Sequence, residues 1–218
     1  MSHKSRPTIL FDLDGTLIDS TTAILSGFNG AFEHFCLPNP KDEQICSLIG
    51  YPLEDIFAKL NAPSELIPNL IAKYKEIYRS LYLENTTLLP NVNLAIQTAA
   101  KFADLGVVTT KTSKYSSNLL ENLGILKYFK ILIGRDDVIN PKPNPEPILK
   151  ALEILNKPKQ NAFMVGDTNL DINCAKQAGI NAIAVSCGYE SKENLQKIAN
   201  IVKDDALQAV LHIQNCVL

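Results

Sequence analysis

No stretch of the chain approaches the roughly 20 consecutive apolar residues that a membrane-spanning helix requires, which removes a bilayer from its expected partners. An excess of one charge is also missing: 21 Lys and Arg stand against 23 Asp and Glu, a net charge of -2. That balance gives no general attraction for nucleic acid or an anionic surface, so any recognition of phosphate has to be local. The five cysteines, at 36, 46, 174, 187 and 216, are odd in number and widely spaced, with no Cys-x-x-Cys pair. They suggest neither a disulfide framework nor a thiolate zinc site. Cys46 and Cys174 fall among apolar neighbours at helical spacing and read as buried free thiols. His3, His34 and His212 stand alone, without partners at metal spacing, and receive no role. Internal repeats and low-complexity segments are absent. The polar start, with Lys4 and Arg6, is followed by no signal-type apolar core, because Asp12 interrupts the first apolar run; the expected location is the cytoplasm.

Apolar material is ample, 46% of 218 residues, enough for one large domain or for a domain with a sizeable insertion. The most informative segment is Asp12-Leu13-Asp14-Gly15-Thr16. The run before it, Thr8-Ile9-Leu10-Phe11, has the β-branched and aromatic bias of a buried strand, and Gly15 can turn sharply. A strand thus delivers two carboxylates to its own C-terminal edge. Residues i and i+2 of an extended chain point to one side, so Asp12 and Asp14 are expected to share a cavity. Like charges so placed repel, and a bound Mg²⁺ would relieve that. Read alone, the pentapeptide serves equally well as a turn with Asp12 as its cap.

Residues 19–86 read as an all-helical insert. The stretch 21–36 carries Ile24, Leu25, Phe28, Phe32 and Phe35 at helical spacing, and shorter helical pieces follow at 43–49, 53–60 and 64–83. Pro38-Asn39-Pro40, Gly50-Tyr51-Pro52 and Asn61-Ala62-Pro63 separate them. Pro68 marks either the first turn of the last helix or a kink in it. From Leu88 onward the pattern alternates, with strands at 106–109, 131–133, 162–165 and 182–185 and helices at 92–103, 115–123, 146–155, 171–178, 193–199 and 204–212. With 8–11 this makes five strands. Alternation predicts an α/β, Rossmann-like parallel sheet with helices on both faces, formed by 1–18 and 87–218, with the helical segment 19–86 inserted.

Ligands of open parallel sheets bind beyond the C-terminal ends of the strands. Strand one ends in Asp12-x-Asp14 and strand two in Thr109-Thr110-Lys111; strand three leads by a short loop to Lys142-Pro143-x-Pro145, and strand four ends in Gly166-Asp167-Thr168-x-x-Asp171. Carboxylates, a hydroxyl and a lysine then converge on one rim, the groups that Mg²⁺-assisted phosphoryl transfer needs. Singly, each has a duller reading. Thr109 suits a strand, Lys142 a surface loop, Asp171 a helix N-terminus, Gly166 a close contact or turn, and Lys111 a solvated position or the substrate entrance.

Those four motifs, in that order, make the chain resemble the haloacid dehalogenase superfamily, specifically its phosphatases with a helical cap inserted after the first motif, the phosphoglycolate phosphatase-like group most of all. The resemblance runs from about Ile9 to Val210. It implies that Asp12 attacks phosphorus and forms an aspartyl-phosphate. It implies that Mg²⁺ takes an oxygen of Asp12, the main-chain carbonyl of Asp14 and a carboxylate of Asp167. The Asp14 side chain would protonate the leaving alcohol and later take a proton from the hydrolytic water. Thr109 and Thr110, with nearby backbone N–H groups, would hold phosphoryl oxygens while Lys142 balances charge, and Asp171 would orient Lys142 or water on the metal. The family places a specificity loop of the cap at Gly50-Tyr51; a packed helix-end aromatic is an equal reading of Tyr51. Pro90-Asn91 departs from the Pro-Gly that relatives often carry at this hinge-side turn.

Asp14 argues against phosphonoacetaldehyde hydrolases and haloacid dehalogenases, which lack that acid or the metal-binding pair. Gly166 stands where mutases of the β-phosphoglucomutase type usually carry Glu. An inorganic pyrophosphatase, or a sugar or nucleotide phosphatase, stays open. The implied partner is a small phosphorylated metabolite, and the protein is expected as a monomer or homodimer. From a different class, a non-enzymatic phosphoacceptor of the receiver kind also gathers acids, Thr and Lys at a sheet edge, but needs no helical insert. A phosphatase-like binding protein is disfavoured by the intact acids.

Overall fold

The computed structural model describes residues 6–217; His3 and Lys4 lie outside them. The strands are β1 (Thr8–Phe11), β2 (Ile18–Asp19), β3 (Thr87–Leu88), β4 (Asp104–Val108), β5 (Phe129–Ile133), β6 (Ala162–Gly166), β7 (Asn181–Val185) and β8 (Val202–Lys203). The helices are α1 (Thr21–His34), α2 (Asp42–Cys46), α3 (Leu53–Lys59), α4 (Ile67–Leu81), α5 (Val92–Phe102), α6 (Ser113–Asn122), α7 (Glu146–Leu155), α8 (Asn169–Ala178), α9 (Lys192–Ile198) and α10 (Ala206–Val217).

Six strands form one parallel sheet in the order β5-β4-β1-β6-β7-β8. The chain builds outward from β1 on one side and then returns to build on the other, the doubly wound pattern expected of alternating strands and helices. β1 takes the centre because its residues are apolar toward both faces. Ile9 and Phe11 enter the core that includes Ala95, Ile96, Val210 and Ile213 of α5 and α10, while Leu10 enters the core that includes Ile148, Leu152, Cys174 and Ala175 of α7 and α8. Each fully buried Ile, Leu, Val or Phe among them contributes about 1.5–3 kcal/mol. Cys174 is the buried thiol its surroundings predicted, whereas Cys46 is only half-buried and His34 is exposed.

Three strands escape the sequence pattern because they are only two residues long. β8 adds a sixth parallel strand at the edge. β2 and β3 pair antiparallel, Ile18 with Leu88 and Asp19 with Thr87, and tie together the two ends of the helical stretch. Within that stretch α1 and α4 pack tightly, because Gly27 and Gly30 leave no side chain between them: a Cβ on Gly27 would lie 2.7 Å from the Tyr74 ring, and one on Gly30 2.7 Å from Ile77 Cδ1. Phe28 fills the centre, its ring 4.8 Å from that of Phe57 and 4.7 Å from that of Tyr74. Pro68 sits in the first turn of α4, preceded by a 3-10 turn at Ser64–Leu66, so no kink arises. Asn91, at the position where relatives often have glycine, takes φ of 63° and donates to Asp205 Oδ2 at 2.8 Å, a left-handed conformation that asparagine tolerates.

At the opposite edge of the sheet from the carboxylate motifs, Asp104 opens β4 with only 4% of its side chain exposed, 3.2 Å from Arg6 Nε, 2.7 Å from Lys130 Nζ and 2.6 Å from Lys157 Nζ. Burial opposes its charge, but hydrogen bonds from Lys130 and Lys157 outweigh burial and hold the carboxyl below its ordinary value. A depressed carboxyl contributes stability above its unfolded-state pKa and loses it as pH falls through the folded-state value. Asp104→Asn is therefore expected to lower unfolding free energy by about 1–3 kcal/mol at pH 7 in urea titration. The gap between variant and wild type should close as pH drops below about 4; a gap that persists in acid would mean that the charge is not what these lysines recognise.

Candidate active site

Register brings the motifs together. Phe11 pairs with Val107 on one side and Val165 on the other, so Asp12, Thr109 and Asp167 leave the sheet at the same edge, where the order reverses between β1 and β6. The Asp12 N–H donates to Val165 O at 2.9 Å, extending β1's pairing to the acid itself. Lys142 Nζ lies 2.8 Å from Asp12 Oδ1 and 2.5 Å from Asp171 Oδ1. The other oxygen of Asp171 accepts from the Thr168 N–H at 3.0 Å and the Thr168 hydroxyl at 2.7 Å, which is the capping box that begins α8. Asp171 is thus fixed by its own helix and in turn fixes Lys142. Asp167 is held on both oxygens, by the Thr16 hydroxyl at 2.8 Å and the Tyr189 N–H at 2.9 Å. Gly15, at φ of 82°, and Gly188 press against the Asp167 carboxylate so closely that a Cβ on either would collide with Oδ2. Gly166 does the same for Asp171, so the close-packing reading of this glycine holds.

Oxygens of Asp12, Asp167 and Asp171 lie within 4.8 Å of one another, and all three residues are buried. A single lysine between them leaves negative charge uncompensated. Burial, and then Asp171, push the Asp12 carboxyl up to about 7 against the pull of Lys142. Burial, then Asp12 and Asp171, raise Asp167 as well. For Lys142 burial alone would favour the neutral amine, but Asp12 and Asp171 win and raise it above its ordinary value. Crowded, dehydrated carboxylates that resist ionisation are a donor set a hard divalent cation satisfies, so the residues present fit Mg²⁺.

Asp14 does not join this cluster. β1 stops at Phe11 and Gly15 turns the chain, so the two-residue periodicity of a strand no longer applies. Its Oδ1 instead accepts from the Ser20 hydroxyl and pairs with Lys111 Nζ at 3.2 Å. The shared cavity expected for the two acids is therefore not found: Asp12 belongs to the buried cluster, and Asp14 lines a cavity with Lys111. For Lys111 the solvated reading is corrected, since only 10% of its side chain is exposed, and the residue lines the cavity described below. Its Nζ donates to Tyr78 Oη at 2.8 Å and lies 4.6 Å from that ring's centroid, so Asp14 and the Tyr78 face replace water around the charge.

Thr109 is buried at the end of β4, where its N–H donates to Ile133 O at 3.0 Å and its hydroxyl accepts from the Lys111 N–H at 3.2 Å. The connection from β5 to Lys142 is longer than expected; residues 134–145 join β5 to α7 and include a 3-10 turn at Arg135–Asp137. Between the helical segment and the sheet edge lies a cavity of about 300 Å³, with Asp14, Thr110 and Lys111 on the sheet side and Gly50 and Tyr51 on the other. Tyr51 also borders a smaller cleft of about 80 Å³ with Thr168 and Tyr189. Gly188 and Tyr189, absent from the residues expected at the site, follow β7, a strand end of the same sheet edge.

The family model for haloacid dehalogenase-like hydrolases matches residues 9–185. The chain belongs to this family. A pyrophosphatase PpaX from Bacillus velezensis is 32% identical over 214 residues, covering 98% of this chain and 98% of that protein. A phosphoglycolate phosphatase from Aquifex aeolicus is 33% identical over 186 residues, covering 83% of this chain and 85% of that one. Among solved structures, a haloacid dehalogenase-like hydrolase from Streptococcus pneumoniae superposes with a TM-score of 0.87 at 26% identity, covering 95% of this chain and 98% of that one. The chain is therefore a phosphatase-type hydrolase of the haloacid dehalogenase-like family rather than a receiver module. Among the described residues, no helix is long and apolar enough to cross a membrane.

In the metal-free protein Asp12 keeps its proton to about 7 while the unfolded chain releases it near its ordinary 3.8. Stability then declines as pH rises through that window. Added Mg²⁺ is expected to raise the Tm more at pH 8 than at pH 5, where protons compete for the same oxygens, with the difference reduced in Asp167→Asn. An equal rise at both pH values, followed by scanning calorimetry, would show that these carboxylates do not take the ion.

Proposed function

We propose that the protein is a Mg²⁺-dependent phosphatase that hydrolyses a small phosphomonoester through a phosphoryl-Asp12 intermediate. The observation that carries this reading is the division of labour between two neighbouring acids: Asp12 is buried against Lys142, and Asp14 faces a cavity with its own cation, Lys111. A carboxylate oxygen of Asp12, the main-chain carbonyl of Asp14 and the Asp167 carboxylate would hold Mg²⁺, which when bound would neutralise charge on the phosphoryl oxygens.

An Asp12 oxygen forms the bond to phosphorus as the ester P–O bond breaks, and Asp14 gives a proton to the departing alcohol. Asp14 then takes a proton from a water whose oxygen attacks the phosphoryl group, releasing phosphate and restoring Asp12. Lys142 stays charged throughout and offsets the negative charge shared by Asp12 and the phosphoryl oxygens, with Asp171 as its positioning residue. The Thr109 hydroxyl and the backbone N–H groups of the turn after Asp12 hold phosphoryl oxygens. Residues 19–86 act as a cap that covers the rim and excludes bulk water, and Gly50 and Tyr51 contact the substrate from the cap side. Relatives named pyrophosphatase and phosphoglycolate phosphatase match at similar identity, so identity does not choose between their substrates.

Phosphate release from p-nitrophenyl phosphate with Mg²⁺ tests the reading. Activity is expected to vanish with EDTA, to fall about a thousandfold or more in Asp12→Asn, and to fall about 10–100-fold in Asp171→Asn, which leaves Lys142 without its fixed partner. A wild type with no EDTA-sensitive turnover above the Asp12→Asn background would overturn it.

A further inference from the structure

Two donors hold the Asp14 carboxylate, the Ser20 hydroxyl and the Lys111 ammonium, and both act on Oδ1. A carboxylate turns readily about its last torsion, and two donors converging on one oxygen stop that turn. Oδ2 is left as the oxygen that a departing alcohol would meet. Ser20 is fully buried at the start of α1, so its place is set by the packing of that helix. Lys111 is held differently. Its backbone is fixed, because its N–H donates to Thr109 Oγ1 at 3.2 Å and its carbonyl accepts from the Arg135 N–H at 3.0 Å. Beyond the backbone runs the flexible four-carbon stem of lysine, whose rotamer freedom costs up to about 2 kcal/mol to arrest.

One residue of the helical segment arrests it. Lys111 Nζ donates to Tyr78 Oη at 2.8 Å and lies 4.6 Å from that ring's centroid, while Asp14 is 3.2 Å away. Glu54 and Asp136 line the same cavity, yet among the described residues Asp14 is the one acid that pairs with this ammonium. Tyr78 is a rigid support for the oxygen it carries. Only 2% exposed, its ring is flanked by Tyr74 at 5.6 Å and 11° and by Tyr82 at 5.5 Å and 30°, and Tyr115 of α6 meets it edge-on at 5.8 Å and 84°. With its ring enclosed in this way, Tyr78 acts through its hydroxyl, and that hydroxyl is taken by Lys111.

We propose that Tyr78 and Lys111 are positioning residues for proton transfer to the leaving group: the Tyr78 hydroxyl fixes Lys111, and Lys111 fixes Asp14 with Oδ2 toward the departing oxygen. The helical segment then does more than cover the rim, because it supplies the last contact that orients the acid. This inference rests on the phosphatase reading above, with Asp14 as proton donor.

The test compares two esters of similar shape whose alcohols differ in their need for a proton. p-Nitrophenolate departs with little help from an acid, whereas phenolate needs the proton. Release of p-nitrophenol and of phenol is followed with Mg²⁺ and enzyme in excess over ester, so that transfer to Asp12 is read apart from hydrolysis of the intermediate. The quantity read is the ratio of the second-order rate constants, p-nitrophenyl phosphate over phenyl phosphate. Asp14→Asn is expected to raise it about a hundredfold. Tyr78→Phe, which keeps the ring and removes only the oxygen, and Lys111→Met are each expected to raise it about tenfold. The double variant is expected to go no further than the larger single effect, since the two residues act in series.

A wild-type ratio in folded Tyr78→Phe, while Asp14→Asn raises it, would overturn the inference and leave the phosphatase standing. A loss shared equally by both esters and confined to the half-saturating enzyme concentration would mean that the pair binds substrate instead of orienting Asp14, and would overturn it too. Effects that multiply in the double variant would do the same, by showing two separate roles. No Asp12-dependent release from either ester, with Asp12→Asn as background, would remove the phosphatase reading and this inference together. The Tyr78→Phe ratio decides without Lys111→Met.

Discussion

Three carboxylates and one ammonium buried at the C-terminal end of β1 set the terms for the rest of the molecule. Charges removed from water are tolerated only when each finds fixed partners. Lys142 reaches two of the acids at once, Asp171 spends its second oxygen on the first turn of α8, and Asp167 takes a hydroxyl from the β1 turn and an N–H from the segment after β7. Four strand ends are thus tied to one point. The doubly wound order is what makes this possible, because it places β1 and β6 side by side at the reversal.

The cluster remains electrostatically incomplete, and that incompleteness is its chemistry. Raised carboxyls at Asp12 and Asp167 record how much negative charge the fold holds without neutralising it. A metal and a phosphoryl group are the natural complements, one positive and one able to spread charge over Lys142. Asp14 stands outside the cluster: hydrogen-bonded to Ser20 and paired with Lys111, it faces the cavity between the helical segment and the sheet edge.

The helical segment enters the same logic through Tyr78. Its hydroxyl accepts from Lys111, so the helical segment is joined to the cation beside Asp14. Close approach of α1 and α4 seats the Tyr74 ring against Gly27 and Ile77 against Gly30, and the two-residue ribbon of β2 and β3 anchors the segment where it leaves and rejoins the sheet. Packing in the helices and polarity at the sheet edge are therefore not separable features of the pocket.

Much of this was legible before any coordinates. The apolar run into Asp12, the helical spacing after it, the alternation after Leu88 and the residues following each strand are enough for the parallel sheet, the helices between Thr21 and Leu81 and the convergence of Asp12, Lys142, Asp167 and Asp171, because these depend on local periodicity and on a topology rule. Strands of two residues carry no period, so β2, β3 and β8 were invisible. Whether Asp14 shares a cavity with Asp12, whether Lys111 is wet or buried, and that Gly188 and Tyr189 close around Asp167 depend on where the chain turns and on contacts such as Lys111 with Asp14 and with Tyr78, and Tyr189 with Asp167, which no local period reveals. Sequence determines which groups arrive at an edge. Only tertiary packing decides which of them lose water, and a charge acquires its chemistry from that loss.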